Sequence, residues 1–138
     1  MSGRTFIDTN VFVYAFDTNE PVKQQIALRT LAETGDRAVL STQVLSEFYV
    51  VATRKLPDPL APRIAAEIIG ELSRLSVVDT DTVLVRSAIE ISDRSQISFW
   101  DGLIVAAASA SQCDRILTED LAAGATLAGV HIVNPFLA

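Results

Sequence analysis

Four acidic residues stand where short apolar runs hand over to helical patterns. Asp8 follows Thr5-Phe6-Ile7, Glu47 lies about two turns beyond Ala38-Val39-Leu40, Asp101 heads the apolar run Gly102-Leu103-Ile104-Val105-Ala106, and Asp120 comes just after Arg115-Ile116-Leu117. In an open parallel sheet the strand-to-helix turns line one edge, so residues remote in sequence meet there. Carboxylates that meet repel one another unless a cation lies among them. Oxygen ligands without a His or Cys cluster favour a hard ion such as Mg2+ or Mn2+ over zinc. The set therefore reads as a divalent-metal site.

Each acid also has a structural reading, because Asp and Glu are favourable near helix N-termini. Asp8 fits a turn or an N-cap, and Asp120 a cap after Thr118. Ser98-Phe99-Trp100-Asp101 has the spacing of a capping box in which Asp101 bonds back to the Ser98 backbone. Glu47 resists that reading. On a helix it lies three residues after Val44 and four before Val51, at the border of the stripe that should face the core. A core-facing acid needs a hydrogen bond, a partner or a metal, and Arg54 and Lys55 are two turns away toward another face. Glu119 is an alternative to Asp120 for the fourth place, although Thr118-Glu119-Asp120 puts Asp120 one step into the turn. Asp17, Glu20, Asp79 and Asp81 fit loops and caps. His131 reads as structural, and Cys113 as a small buried hydrophobe.

Positioning these groups calls for alternating strands and helices. Strands are expected at 5–7, 38–40, 76–78, 115–117 and 131–133. Helices are expected at 11–16, from Asn19-Glu20-Pro21 to Gly35, from Ser41 or Thr42 to Lys55-Leu56-Pro57, at 60–75, after Asp79-Thr80-Asp81, and at 99–112. The last is apolar nearly all round and should be central. About five short strands alternating with helices imply a three-layer α/β/α sandwich with a mainly parallel central sheet.

With 49% hydrophobic and 20% charged residues, the 138-residue chain fits one compact domain over 1–138 and not a disordered segment. No apolar run approaches the ~20 residues that cross a bilayer, and Met1-Ser2-Gly3-Arg4 leads into a strand without a signal-peptide core. A cytoplasmic protein with no membrane partner is expected. The single cysteine excludes an intramolecular disulfide and a cysteine metal cage. The net charge of −6 argues against non-specific attraction to nucleic acid through a basic surface, but cations bound at the acids would reverse the local sign and admit a phosphate. A chain this apolar, with a pI near 4.6, is also expected to self-associate, with candidate faces on the 60–75 helix.

Taken in order, Phe6-Ile7-Asp8-Thr9-Asn10, Ser46-Glu47, Phe99-Trp100-Asp101-Gly102-Leu103-Ile104-Val105-Ala106-Ala107-Ala108 and Leu117-Thr118-Glu119-Asp120-Leu121 make the chain resemble a PIN domain, in size similar to VapC-type toxins of bacterial toxin–antitoxin pairs. The resemblance covers essentially the whole chain. It implies a Mg2+- or Mn2+-dependent endoribonuclease acting on RNA, a homodimer, and a small antitoxin protein whose tail occupies the acidic groove. The family's acidic site maps onto Asp8, Glu47, Asp101 and Asp120, with Asn10 and Thr118 matching its polar neighbours.

The chemistry of the residues agrees with that expectation. With no histidine pair for proton transfer, phosphodiester hydrolysis would rely on metal to activate water and to neutralise the phosphate and leaving oxygen. Asp8 and Asp101 are expected as principal ligands, Glu47 as a ligand or water-orienting base, and Asp120 as an outer or second-metal ligand. Asn10 and Thr118 would orient them. Two other classes compete. A phosphatase with an aspartyl nucleophile would prefer Asp where Asn10 stands and would want a late lysine, yet none follows Lys55. A non-catalytic α/β binding module would use the acids only as caps.

Overall fold

The computed structural model describes residues 3–137. Met1 and Ser2, the first residues of the expected lead into the first strand, and Ala138 lie outside the described residues. Strands β1 (Thr5–Ile7), β2 (Ala38–Ser41), β3 (Ser76–Val78), β4 (Arg115–Leu117), β5 (Thr126–Leu127) and β6 (Val130–Val133) form one sheet in the order β3-β2-β1-β4-β6-β5. Every neighbouring pair is parallel except β5 with β6. The helices are α1 (Thr9–Tyr14), α2 (Pro21–Thr34), α3 (Thr42–Arg54), α4 (Pro62–Leu72), α5 (Thr82–Ser95) and α6 (Phe99–Ala110).

The local signals that set these elements are short-range. The Ser41 hydroxyl accepts from the Val44 amide to start α3, Asp81 accepts from Leu84 to start α5, and Pro21 and Pro62 sit in the first turns of α2 and α4. The first helix begins at Thr9 rather than Val11, because the Asp8 carboxylate caps it through the Thr9 amide. The last ends at Ala110 rather than Gln112, which has a left-handed backbone at φ 58°.

Among the described residues the sheet has six strands where about five were expected. The additional β5 is two residues long, too short to leave a period-2 pattern. Ala128 and Gly129, at φ 48° and 80°, form the tight hairpin that folds it onto β6.

Layering follows from handedness. The crossovers β1 to β2 and β2 to β3 run the same way along the sheet, so right-handed connections place α1 to α4 on one face. The crossover from β3 to β4 reverses direction, which puts α5 and α6 on the other. Gly102 to Ala108 of α6 are all buried, and α6 packs on β2, β4 and β6 beneath α5. The core is completed by Phe6, Phe12, Phe48, Leu40 and Ile116, all fully buried. Ile68, Ile69 and Leu72 of α4 lie partly buried against this core. Among the described residues no helix is long and apolar enough to cross a membrane.

The reversal has a consequence for function. Chain leaves β1 toward β2 on one side and leaves β4 toward β6 on the other, so a crevice opens between the C-terminal ends of β1 and β4. Ligands of open α/β sheets bind at such switch points.

Candidate active site

Ile7 pairs with Leu117 across β1 and β4, so the next residues, Asp8 and Thr118, emerge side by side at the switch point. Both are buried. One Asp8 carboxylate oxygen accepts from the Thr9 amide at 2.7 Å, and the other accepts from the Thr118 hydroxyl at 2.8 Å. Asp8 is therefore a helix cap whose carboxylate is buried beneath the crevice. Burial pushes its pKa from 3.8 up to about 6. The hydrogen bonds from Thr118 and Thr9 work against that rise, and the charges of Asp120 and Glu47 add to it.

Glu47 comes from α3, whose Val44, Phe48 and Ala52 are buried while Glu47 sits half-buried at their border, as helical spacing requires. Its carboxylate accepts from the Thr9 hydroxyl at 2.8 Å and from the Gln43 amide at 3.4 Å. Thr9 thus bridges two acids, its backbone held by Asp8 and its hydroxyl by Glu47. Neither Thr9 nor Gln43 stood out in the sequence as a site residue. The signals were a threonine wedged between two site residues and a glutamine one turn before Glu47.

The turn after β4 is clamped by Asn10. Its side-chain oxygen accepts from the Glu119 amide at 3.2 Å, and its side-chain amide donates to Asp120 at 3.1 Å. The Thr118 hydroxyl accepts from the Asp120 amide at 3.0 Å. Asp120, exposed and facing Asn10, adds its charge to that felt by Asp8. Glu119 points elsewhere, taking hydrogen bonds from Lys23 and from the Tyr14 hydroxyl. Burial opposes the charge of Glu119, but Lys23 and Tyr14 outweigh it and hold the carboxyl below its usual range. The chain thus provides one of the two adjacent acids with a cation and leaves the other without.

Asp101 makes no hydrogen bond to this group among the described residues. It lies in the first turn of α6, where its amide donates to the Ser98 hydroxyl at 3.0 Å. That is half of the expected capping box. Among the described residues nothing donates to the Asp101 carboxylate, and it is not among the charges that raise Asp8. Its approach to the site is from the Glu47 side, where the Gln43 amide also donates to the Trp100 carbonyl at 3.2 Å.

A cleft of about 650 Å³ opens from this crevice between α1 and α3, with Thr9, Asn10, Glu47 and Asp120 at one end and Val50, Leu56 and Lys55 along it. None of the described ion pairs involves Asp8, Glu47, Asp101 or Asp120. In kind, the donors suit a hard cation: they are all oxygen, and one is a buried carboxylate that no base among the described residues pairs with. In position, the four acids are not drawn together, for no three of the described His, Cys, Asp or Glu side chains are arranged to hold a metal ion as they stand. Like charges that hydrogen-bond to Thr9, Thr118 and Asn10 have no reason to converge further on their own. His131 is exposed on β6, against Thr126 and level with Arg115, at the opposite end of the strands from the crevice. Cys113 is buried, and burial pushes its thiol up to about 11.

No curated protein sequence matches the chain significantly. Solved structures share its fold at low identity. The toxin–antitoxin complex from Klebsiella pneumoniae superposes with a TM-score of 0.73 at 17% identity, over 96% of this chain and 98% of that one. VapC20 of Mycobacterium tuberculosis, a toxin that cleaves the sarcin–ricin loop, gives 0.68 at 18% identity, over 84% and 89%. The DNA-bound VapBC of Salmonella typhimurium gives 0.66 at 21% identity, over 94% and 96%. The sequence profile of the PIN domain matches residues 5–124, from β1 through the turn that carries Asp120, and the chain belongs to the PIN domain family.

Proposed function

We propose that this chain is a Mg2+- or Mn2+-dependent endoribonuclease, the toxin of a toxin–antitoxin pair, and that residues 1–138 act as one nuclease domain. The observation that carries the reading is Asp8: a carboxylate buried at the switch point of a PIN fold, beside Glu47 and Asp120, and in none of the ion pairs among the described residues. Asp8, Glu47 and Asp120 would hold the metal, with Asp101 joining from the head of α6. The bound ion would supply charge neutralisation at the phosphate and a lowered pKa for the attacking water. The chain's own part is to fix those oxygens through Thr9, Thr118 and Asn10, and to offer a cleft along α3 in which an RNA strand can lie. The structural neighbour from Klebsiella pneumoniae is a toxin–antitoxin complex, and an arginine or lysine from a small antitoxin would fit among the same carboxylates. Self-association into a homodimer is part of the proposal. Val22 and Leu28 of α2 and Val83 and Ile89 of α5, all at least half exposed, are better candidates for that contact than α4.

Two measurements test the site. Single-stranded RNA incubated with the protein should be cut in Mn2+ or Mg2+, stay intact in EDTA, and be cut again when metal is returned. Cleavage that runs unchanged in chelator refutes the metal mechanism. The second separates the adjacent acids. Asp120→Asn should lower kcat by roughly 10- to 100-fold, the range for groups that hold or orient metal ligands. Glu119→Gln, which disturbs only the Lys23 and Tyr14 contacts, should keep its metal response and most of its rate. The opposite ranking would make Glu119 the fourth acid.

A further inference from the structure

We infer that Trp100 is a stacking platform for an unpaired RNA base beside the cleavage site, an inference that rests on the ribonuclease reading above. Trp100 is the only tryptophan of the chain and is 63% exposed, although an indole is the largest apolar side chain and usually gains from burial. It precedes Asp101 in the first turn of α6. The half-buried Phe99 ring meets the indole edge-on, with centroids 5.3 Å apart at 74°, which limits how the indole can swing. The Gln43 amide ties the Trp100 backbone to the site, since it donates to the Trp100 carbonyl at 3.2 Å and to Glu47 at 3.4 Å.

A second cleft, about 340 Å³, runs from the indole past Leu103, Thr42 and Thr80 to Glu47. Ser46 and Glu47 also line the larger cleft, so the cleft that holds the indole and the cleft that holds Asn10 and Asp120 share the Glu47 wall.

Charge explains why such a platform is needed. A net charge of −6 gives little Coulombic attraction for phosphates, and the acids repel them wherever metal does not intervene. Stacking a base on an aromatic ring adds affinity without needing a positive charge, and every base has a face to offer. A base in a duplex is already stacked on its neighbours, so the platform selects single-stranded or looped RNA. Threonine and glutamine side chains around the ring can meet the edges of that base.

The lone tryptophan provides its own readout. Emission from the full chain is followed on mixing with a short single-stranded RNA in Mg2+, with the self-complementary duplex of similar length, and with a basic peptide. Steady-state cleavage is measured alongside for the parent, Trp100→Ala and Trp100→Phe. Single-stranded RNA should quench the indole and the duplex should not. Trp100→Ala should raise KM roughly tenfold, as expected for one lost stack, with kcat changed by less than about twofold, and Trp100→Phe should recover most of the loss. Because the side chain is exposed, both variants should melt like the parent.

Unchanged emission on adding RNA, or an unchanged KM in Trp100→Ala, overturns the inference. Quenching by the basic peptide and not by RNA also overturns it, in favour of a protein partner. So does emission that depends on protein concentration without RNA, together with lost self-association in Trp100→Ala, which would make this face an interface between copies. If no form cuts RNA, the ribonuclease reading fails, and the emission arm still decides whether the indole receives a base.

Discussion

The Asp8→Asn substitution should make the protein more stable in chelator at neutral pH while removing its cleavage. The folded state holds the Asp8 proton more tightly than the unfolded chain does, because burial moves the pKa from 3.8 to about 6. Well below pH 3.8 both states are protonated and the residue costs nothing. As pH rises from 3.8 toward about 6 the unfolded chain loses the proton first, so stability falls; above that window the whole penalty is in place. Such a displacement corresponds to about 3 kcal/mol at 1.36 kcal/mol per pH unit.

The amide keeps an acceptor for Thr9 or Thr118 but not for both with equal strength, so a gain on the order of 1–3 kcal/mol is expected at pH 7.5. It should shrink as pH falls toward 3.8 and vanish below it. Mn2+ should raise the melting temperature of the parent and leave the variant nearly unmoved. Cleavage should fall at least about a hundredfold, beyond the loss seen for groups that merely orient a ligand. Paired melts in EDTA at the two pH values, repeated with Mn2+, check all of this. A variant that is less stable than the parent at pH 7.5 would show that Asp8 serves the fold as a cap and that its charge is not held at a cost.

Gly102→Ala should be the more damaging change, although alanine is the better helix former by about 1 kcal/mol. A Cβ at position 102 would lie 2.7 Å from the Ala88 backbone carbonyl oxygen and 3.2 Å from the Ser92 Cβ. The first obstacle is backbone, so it cannot rotate away. Gly102 is buried where α5 and α6 make the most extensive helix contact of the molecule, and α6 in turn rests on the sheet. Relief requires the two helices to part, at about 1–3 kcal/mol for an overpacked site. The parting happens one residue from Asp101 and two from Trp100, so activity should fall together with the melting temperature. Gly70→Ala is the control, since a Cβ there meets nothing within 4 Å and α4 should gain from it. If Gly102→Ala melts as high as the parent, α5 and α6 are not as closely apposed as their backbones indicate.

What the sequence determined by itself was the kind and order of every element but the two-residue β5, and most of the polar groups at their junctions. Caps and helical stripes act over three or four residues, and so Ser41, Asp81 and Ser98 mark the starts of α3, α5 and α6 in the primary structure alone. The same local logic placed Glu47 at the rim of the core stripe of α3. Three matters were decided only by the tertiary structure.

The first is lateral order. Periodicity shows that β1 and β4 are strands but not that they are neighbours, and it is their pairing that sets Thr118 against Asp8, 110 positions away in sequence. The second is which acids are left without a counter-charge. Glu119 and Asp120 are adjacent in the chain, yet Lys23 from α2 reaches only Glu119, while Asn10 takes Asp120. The third is the raised pKa of Asp8, which comes first from burial beneath elements that fold over it. Short-range patterns report what a residue does to its own turn of backbone. Charge, desolvation and contact between distant turns depend on how the layers stack, and those belong to the fold as a whole.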